Sequence, residues 1–241
     1  MQGFARATSY IPTEVAFTTT GNIDNLDFSG ADLIRMNNAT DATIRGLVAG
    51  SPGQQVTIVS IGAGHVYLAH QNANSTEANR LINYATGAAT PLGARAGTAT
   101  YQYDATTDRW RLVAHEQGAW ITPTFAAGDY TATSGTWTVE SADVSTFTHR
   151  LVGRTMNVIW NIGTFSVSAN PSSLLRVIPG GFTSTGNQPG TCMVADNGET
   201  RELGVWVALG TSMYFQLGDN TAWAITTNGG GTFGSAAFQI V

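Results

Sequence analysis

The feature that most constrains the fold of this chain is a period of two in its hydrophobic residues. Apolar and polar side chains alternate in short runs rich in Val, Ile, Thr and aromatic residues, and Gly, Asn, Asp, Ser or Pro separates the runs. Successive side chains of a β-strand point to opposite faces, so this pattern is typical of half-buried strands. The sequence therefore predicts an all-β chain.

The clearest alternation predicts an antiparallel hairpin from residues 98–104 and 109–115, joined by the four-residue loop Ala105–Asp108. One face of each run is apolar, which indicates a hairpin with a single buried face. The side chains predicted on that face are Ala99, Tyr101, Tyr103, Trp110, Leu112 and Ala114.

Two further local elements are predicted upstream of this hairpin. Residues 55–61 and 65–70 flank Gly62-Ala63-Gly64 and read as a second hairpin. Between the hairpins, one helical turn is predicted from Asn74 to Arg80, with Asn74 as the cap and Glu77 reaching back to the cap amide.

The second half of the chain contains more strand-like runs, at a spacing that suggests a β-sandwich or a jelly roll. They are residues 137–140, 155–162, 165–169, 174–178, 203–209, 212–217 and 236–241. The predicted fold is two β-sandwich or jelly-roll-like domains in series, without an internal repeat. The predicted divisions are an N-terminal arm (1–13), a first module (14–118), a linker (119–127) and a C-terminal head domain (128–241).

Composition excludes several classes of protein. Only 11% of the residues are charged, and 11 Arg with no Lys stand against 16 acidic residues, giving a net charge of −5. No basic stripe is available for phosphates, so we expect no nucleic-acid partner. No apolar run is long enough for a spanning helix, so we expect no membrane insertion. The single Cys192 excludes an intrachain disulfide and a multi-cysteine zinc site.

Residues with catalytic or metal-binding spacing are missing from the sequence. There is no Gly-x-Ser-x-Gly elbow, and acidic pairs of the kind a glycosidase needs are sparse. The histidines occur singly, at positions 65, 70, 115 and 149. We therefore expect no enzyme, no catalytic residue, no cofactor and no metal site.

Binding of a glycan is better supported by the residue types. Sugars are held by aromatic faces together with Asn, Asp and Arg side chains, which satisfy the hydroxyl groups. Two polar segments of the second half supply both kinds of group. The candidate glycan-binding residues are Asp196, Asn197, Arg201, Asp219, Asn220 and Trp223. Two alternatives stay open, because residues 196–202 also read as a solvated Asn-Gly hairpin turn and Trp223 also reads as a core residue.

Residues 43–115 resemble a module found in tail-fibre and other tail structural proteins of bacteriophages. The resemblance rests on the order of Leu47-Val48, Gly53-Gln54, Val56-Thr57-Ile58, Val66 to Asn72, Asn79-Arg80, Tyr103-Asp104 and Arg109 to Leu112. It implies a virion protein that is often a homotrimer, assembled in the host cytoplasm, in which such modules act as spacers near a receptor-binding tip.

Three functions remain open at the level of sequence. The first is a tail-fibre or receptor-binding protein that adheres to a host surface polysaccharide, with the N-terminal arm attached to other virion proteins. The second is a structural virion protein without a receptor, such as a head fibre, a capsid decoration or a tail adaptor. The third is a glycan-degrading tailspike.

Overall fold

A computed structural model describes residues 11–198 and 200–241, so residues 1–10 of the predicted arm and Glu199 lie outside the described residues. The all-β class is confirmed. The strands are β1 Glu14–Phe17, β2 Gly21–Ile23, β3 Leu33–Met36, β4 Ala42–Ile44, β5 Gln55–Ser60, β6 Val66–Leu68, β7 Leu81–Ile82, β8 Thr90–Leu92, β9 Thr98–Asp104, β10 Arg109–Glu116, β11 Tyr130–Ala132, β12 Trp137–Thr138, β13 Val144–Val152, β14 Thr155–Val167, β15 Leu174–Val177, β16 Gln188–Ala195, β17 Glu202–Leu209, β18 Ser212–Leu217 and β19 Thr226–Gln239. Short 3₁₀ turns lie at Glu77–Asn79, Ala127–Asp129, Ser141–Asp143 and Pro179–Gly181.

The first six strands form three stacked coils of parallel strands. Strands β1, β3 and β5 pair in parallel, and Ile34 of β3 lies opposite Ile58 of β5. Strands β2, β4 and β6 pair in the same way, with Ile44 opposite Leu68. Each coil thus contributes one strand to each of two sheets that enclose a common apolar core.

This pairing corrects the predicted hairpin of residues 55–61 and 65–70. Strand β5 belongs to one sheet and β6 to the other, so the Gly62-Ala63-Gly64 segment turns a corner instead of closing a hairpin. A Cβ at Gly62 would overlap the Asn38 backbone, and one at Gly64 would overlap Thr40. The glycines are therefore required by the close approach of successive coils.

The predicted hairpin of β9 and β10 is confirmed, with Trp110 opposite Tyr103. Its buried face differs in one detail. The register shifts between Leu112 and Ala114, so that Ala114 is exposed and His115 is buried. An extra residue at a β-bulge reverses the alternation beyond it, which explains why the predicted position of Ala114 was wrong.

The predicted helical turn is present, but its predicted cap is wrong. The turn begins after Thr76 and no side chain caps it. The hydroxyl and amide of Thr76 donate to Oδ1 of Asn25, on an earlier coil. Glu77 pairs with Arg109 of the neighbouring hairpin instead of reaching back to the cap.

The second half is one antiparallel sheet that curls around a second core. Its strand order runs β13-β14-β19-β16-β17-β18-β15-β11, with β12 added beside the end of β14. The long strands β14 and β19 pair along most of their length, and side chains from all these strands meet in the core. The sequence did not predict β11, β13 or β16. The predicted runs 155–162 and 165–169 lie largely in one continuous strand, β14, which ends at Val167.

The two halves are joined at Gln117. Glu116 of β10 pairs with Val152 of β13, and the buried Gln117 side chain donates to the carbonyl of His149. Within the predicted linker 119–127, Ile121 exchanges two backbone hydrogen bonds of 2.9 Å with His149. The start of that segment is therefore held against β13.

Candidate functional site

Two polar loops of the second half meet at one end of the curled sheet. The first joins β16 to β17 and begins at Asp196, and the second joins β18 to β19 across residues 218–225. The Asp196 carboxylate accepts a hydrogen bond from the amide of Ala224, with N–O distances of 3.0 and 3.1 Å to its two oxygens. The polar segments that the sequence analysis grouped together are thus in direct contact.

The turn after Asp196 has the backbone expected of an Asn-Gly turn. Asn197 and Gly198 both adopt left-handed conformations, with φ of 49° and 77°. The amide of Gly198 donates to the carbonyl of Gly229 at 2.6 Å, which fixes the turn against the start of β19. A Cβ at Gly229 would overlap the Thr226 hydroxyl of the same strand and would lie 3.1 Å from the Gly198 amide of the turn, so both neighbours favour glycine there.

The second loop is held by its own aspartate. Oδ1 of Asp219 accepts from the amide of Thr221 at 2.9 Å and from its hydroxyl at 2.7 Å. These hydrogen bonds lower the pKa of the exposed Asp219 carboxyl. Asn220, at the exposed tip, has a left-handed φ of 62°. The loop therefore presents its polar tip in a defined conformation.

Trp223 is the part of the predicted site that does not face solvent. Its side chain is fully buried, its Nε1 donates to the carbonyl of Phe215 at 3.2 Å, and its ring lies 5.8 Å from that of Phe165. The structure agrees with the alternative in which Trp223 belongs to the core. Its ring is not available to stack on a sugar, and it instead anchors the loop that carries Asp219.

Arg201 finds an aromatic partner that the sequence analysis did not connect with it. Its guanidinium carbon lies 4.0 Å from the centroid of the Phe233 ring, on the outer side of the sheet. Met193 pairs with both Phe233 and Leu203 in neighbouring strands, and the Met193 and Leu203 side chains are 40% and 60% exposed. The sequence indicated this row of apolar side chains, Met193, Leu203 and Phe233, only weakly, because Phe233 follows Gly229-Gly230-Gly231 and Thr232.

Both aspartates of this surface accept hydrogen bonds. Asp196 accepts from the second loop and Asp219 accepts within its own loop, and the pKa of Asp219 lies below its usual value. Among residues 11–198 and 200–241, no group of three or more His, Cys, Asp or Glu side chains could hold a metal ion.

Comparison with protein-family models and with curated proteins finds no match. In the part of the chain that the structure describes, no helix is long and apolar enough to cross a membrane.

Proposed function

We propose that this protein is a bacteriophage tail-fibre or receptor-binding protein that adheres, as a homotrimer, to a host cell-surface glycan. The observation that carries the proposal is the polar surface formed by the two touching loops, with Asp196, Asn197 and Arg201 on one and Asp219 and Asn220 on the other. These are the side-chain types that satisfy sugar hydroxyls, and both loops are fixed by hydrogen bonds before any ligand arrives.

The rest of the molecule supports the same role. The stacked coils of the first half provide a rigid body of the kind that the resemblance to tail-fibre modules implies for a spacer. We assign the N-terminal arm, residues 1–13, to attachment to other virion proteins. Loops on a rigid scaffold are where recognition concentrates.

The proposed trimer is supported by the outer face of β16 and β17. Exposed apolar side chains there include Met193, Leu203 and Leu209. Because only 11% of the residues are charged, little electrostatic repulsion opposes the association of this face with a second copy. Three copies of a weak glycan site add through avidity by roughly 10²–10⁴. Light scattering should give about 76 kDa, which is three copies of the 25.3 kDa chain. A value of about 25 kDa contradicts the trimer.

Adsorption to host cells tests the function. The purified full-length protein should bind host bacteria and reduce phage infection. The double variant Asp219→Ala with Asn220→Ala should weaken adsorption and lower the melting temperature only slightly, because the Thr221 contacts that it removes belong to an exposed loop. A matched control is Thr106→Ala with Asp108→Ala, at the exposed tip of the β9–β10 loop, where Asp108 also has a left-handed φ.

The outcomes separate the three functions. Loss of adsorption in the double variant at Asp219 and Asn220, but not in the control variant at Thr106 and Asp108, supports the proposal. No adsorption by the unaltered protein contradicts it and favours a structural virion protein. Release of reducing sugar ends from host polysaccharide identifies a glycan-degrading tailspike instead.

A further inference from the structure

A cavity of about 320 Å³ opens where the curled sheet of the second half fails to close. One wall is β11, which pairs only with β15 among the described strands. The opposite wall is the stretch from Val144 to Thr148 of β13, which no described strand pairs on the side away from β14. The cavity thus lies along a seam between two strand edges, and Thr122, Pro123 and Phe125 also line it.

One side of the cavity is aromatic and partly open to solvent. The rings of Phe125 and Tyr130 stack with their centroids 5.8 Å apart and their planes inclined by 27°. Phe125 is 36% exposed, whereas Tyr130 is buried and packs edge-on against Trp137. Phe125 therefore forms an aromatic face whose position is fixed by the ring beneath it.

The remaining lining is rich in hydroxyl groups. They belong to Thr122, Ser141, Ser145, Thr146 and Thr148. Hydroxyl groups both donate and accept hydrogen bonds. The unpaired backbone edge of β13 adds amide donors and carbonyl acceptors to the same wall.

The charge in the cavity is balanced. Arg176 lines it and is only 2% exposed, with its guanidinium packed over the rings of Phe147 and Tyr130 at 4.4 and 4.9 Å. Its Nη1 donates to the carbonyl of Val177 and lies 3.1 Å from the Asp129 carboxylate. This ion pair offsets the charge of Arg176, the one charged side chain among the lining residues, and leaves its buried Nε without a hydrogen-bond partner among the described residues.

We propose that this seam cavity is a binding site for one neutral hexopyranose unit, with an apolar face of the sugar ring on Phe125 and its hydroxyls towards β13. The volume lies at the lower end of the range of roughly 300–1,000 Å³ for small-ligand sites. The cavity shares no lining residue with the Asp196–Asp219 surface. The part that this cavity plays in attachment rests on the proposed function, but sugar binding itself is tested separately from adsorption.

An added peptide strand is the other occupant that a free strand edge could take. The observations favour the sugar. The unpaired edge is five residues long, and it ends where Ile121 pairs with His149. The cavity is lined by Thr122, Pro123 and Phe125 as well as by β13, so its lining is not a strand edge alone.

Saturation-transfer NMR on the purified full-length protein tests the proposal with three kinds of probe. These are methyl glucoside, methyl galactoside and methyl mannoside as neutral sugars, glucuronate as a charged sugar, and a short Val-Thr peptide as a strand. We expect transfer to ring protons of at least one neutral glycoside, weaker transfer to glucuronate, and none to the peptide.

Variants locate the binding. Phe125→Ala should weaken binding of the neutral sugar roughly threefold to tenfold, and Phe125→Tyr should retain it. Thr148→Val, which keeps the shape of the side chain, should also weaken it. The matched control is Trp120→Ala, because Trp120 belongs to the same segment, is 39% exposed and lies outside the cavity. Thermal unfolding of each variant confirms that it is folded.

Three results would overturn the proposal. They are no transfer to any neutral glycoside, equal binding by the unaltered protein and Phe125→Ala, and preferential binding of glucuronate or of the peptide. Failure of the protein to adsorb to bacteria, with sugar binding at Phe125 intact, contradicts the proposed function but not this site.

Discussion

Gln117 and Leu151 are joined by two hydrogen bonds across the junction between the halves. The amide of Gln117 donates to the carbonyl of Leu151 at 3.2 Å, and the amide of Leu151 donates to Oε1 of Gln117 at 2.7 Å. The same side chain donates through Nε2 to the carbonyls of His149 and Ala119. One buried amide side chain therefore gives the Leu151 amide its acceptor and adds a second donor to the His149 carbonyl, which the Ile121 amide also binds.

Replacing this amide should weaken the whole molecule. In Gln117→Leu, the Leu151 amide loses its acceptor, at roughly 1–3 kcal/mol for a buried group, whereas the His149 carbonyl keeps its hydrogen bond from the Ile121 amide. We expect a loss of about 2 kcal/mol in the free energy of unfolding, measured by denaturant titration. The control Gln102→Leu removes one exposed hydrogen bond of 3.4 Å and should change little. Equal stability of the two variants would show that the junction does not depend on Gln117.

Trp110 should be a major source of stability in the first half. It is fully buried, lies 5.2 Å from Tyr103 and 5.6 Å from Phe28 between ring centroids, and donates from Nε1 to the carbonyl of Val48. We expect Trp110→Ala to lower the free energy of unfolding by roughly 3–5 kcal/mol, as large aromatic truncations in cores do. The exposed Trp120→Ala is the comparison. An unchanged melting temperature in Trp110→Ala would contradict the packing described here.

Stability should fall as the pH drops below about 6.5. Burial, with a smaller effect of the nearby His65 and Arg176, lowers the pKa of His149 to about 4. The unfolded chain, with an ordinary pKa near 6.5, binds more protons between these values. The stability that the neutral His149 side chain contributes is therefore fully present above pH 6.5 and is lost progressively as the pH falls to 4. Burial also lowers the pKa of His115 and of His70, which act in the same direction.

His149→Leu tests this dependence. Removal of the titrating group should flatten the curve of unfolding free energy against pH between 6.5 and 4, by about 3 kcal/mol for a shift of that size. His70→Gln, at a less buried position, should flatten it less. A slope that is the same in His149→Leu and in the unaltered protein would assign the acid sensitivity to other groups.

Cys192 should react with thiol reagents only when the second half opens. It is the single cysteine of the chain, it is 5% exposed, and burial raises the pKa of its thiol to about 11. Both burial and the scarcity of thiolate slow the reaction. Labelling with a disulfide reagent should be slow in buffer and fast in denaturant. Rapid labelling of the folded protein would contradict the burial of Cys192 in the second core.

The sequence allowed some pairings to be predicted because the information was local. Strands β9 and β10 follow one another across a four-residue loop, and their alternation alone indicates a hairpin. Strands β5 and β6 have equally clear alternation but pair with strands of other coils. The alternation within one strand indicates which of its faces is buried but not which other strand pairs with it. The parallel coils were therefore not predicted.

The same limit applies to the binding surfaces. The residue types of the two polar segments indicated a shared surface, but the contact of Asp196 with the Ala224 amide was not predicted, because β16 and the first part of β19 were not recognised as strands. The seam cavity was not foreseeable. Arg176 lies in a predicted strand and Phe125 in a predicted linker, and only the failure of the curled sheet to close brings them to one cavity.

The stacked coils of β1 to β6 are tied together by more than their strand pairing. In the two sheets each coil pairs with the coil next to it, and the third is closed off by the antiparallel strands β9 and β8. Asn25 of the first coil also accepts hydrogen bonds from Thr76, and Phe28 packs against Trp110 of the closing hairpin. One added coil would lengthen the body by about 4.8 Å, the spacing of neighbouring strands, and would separate these groups. The number of coils is therefore set by the contacts that join the first coil to the segment after the third.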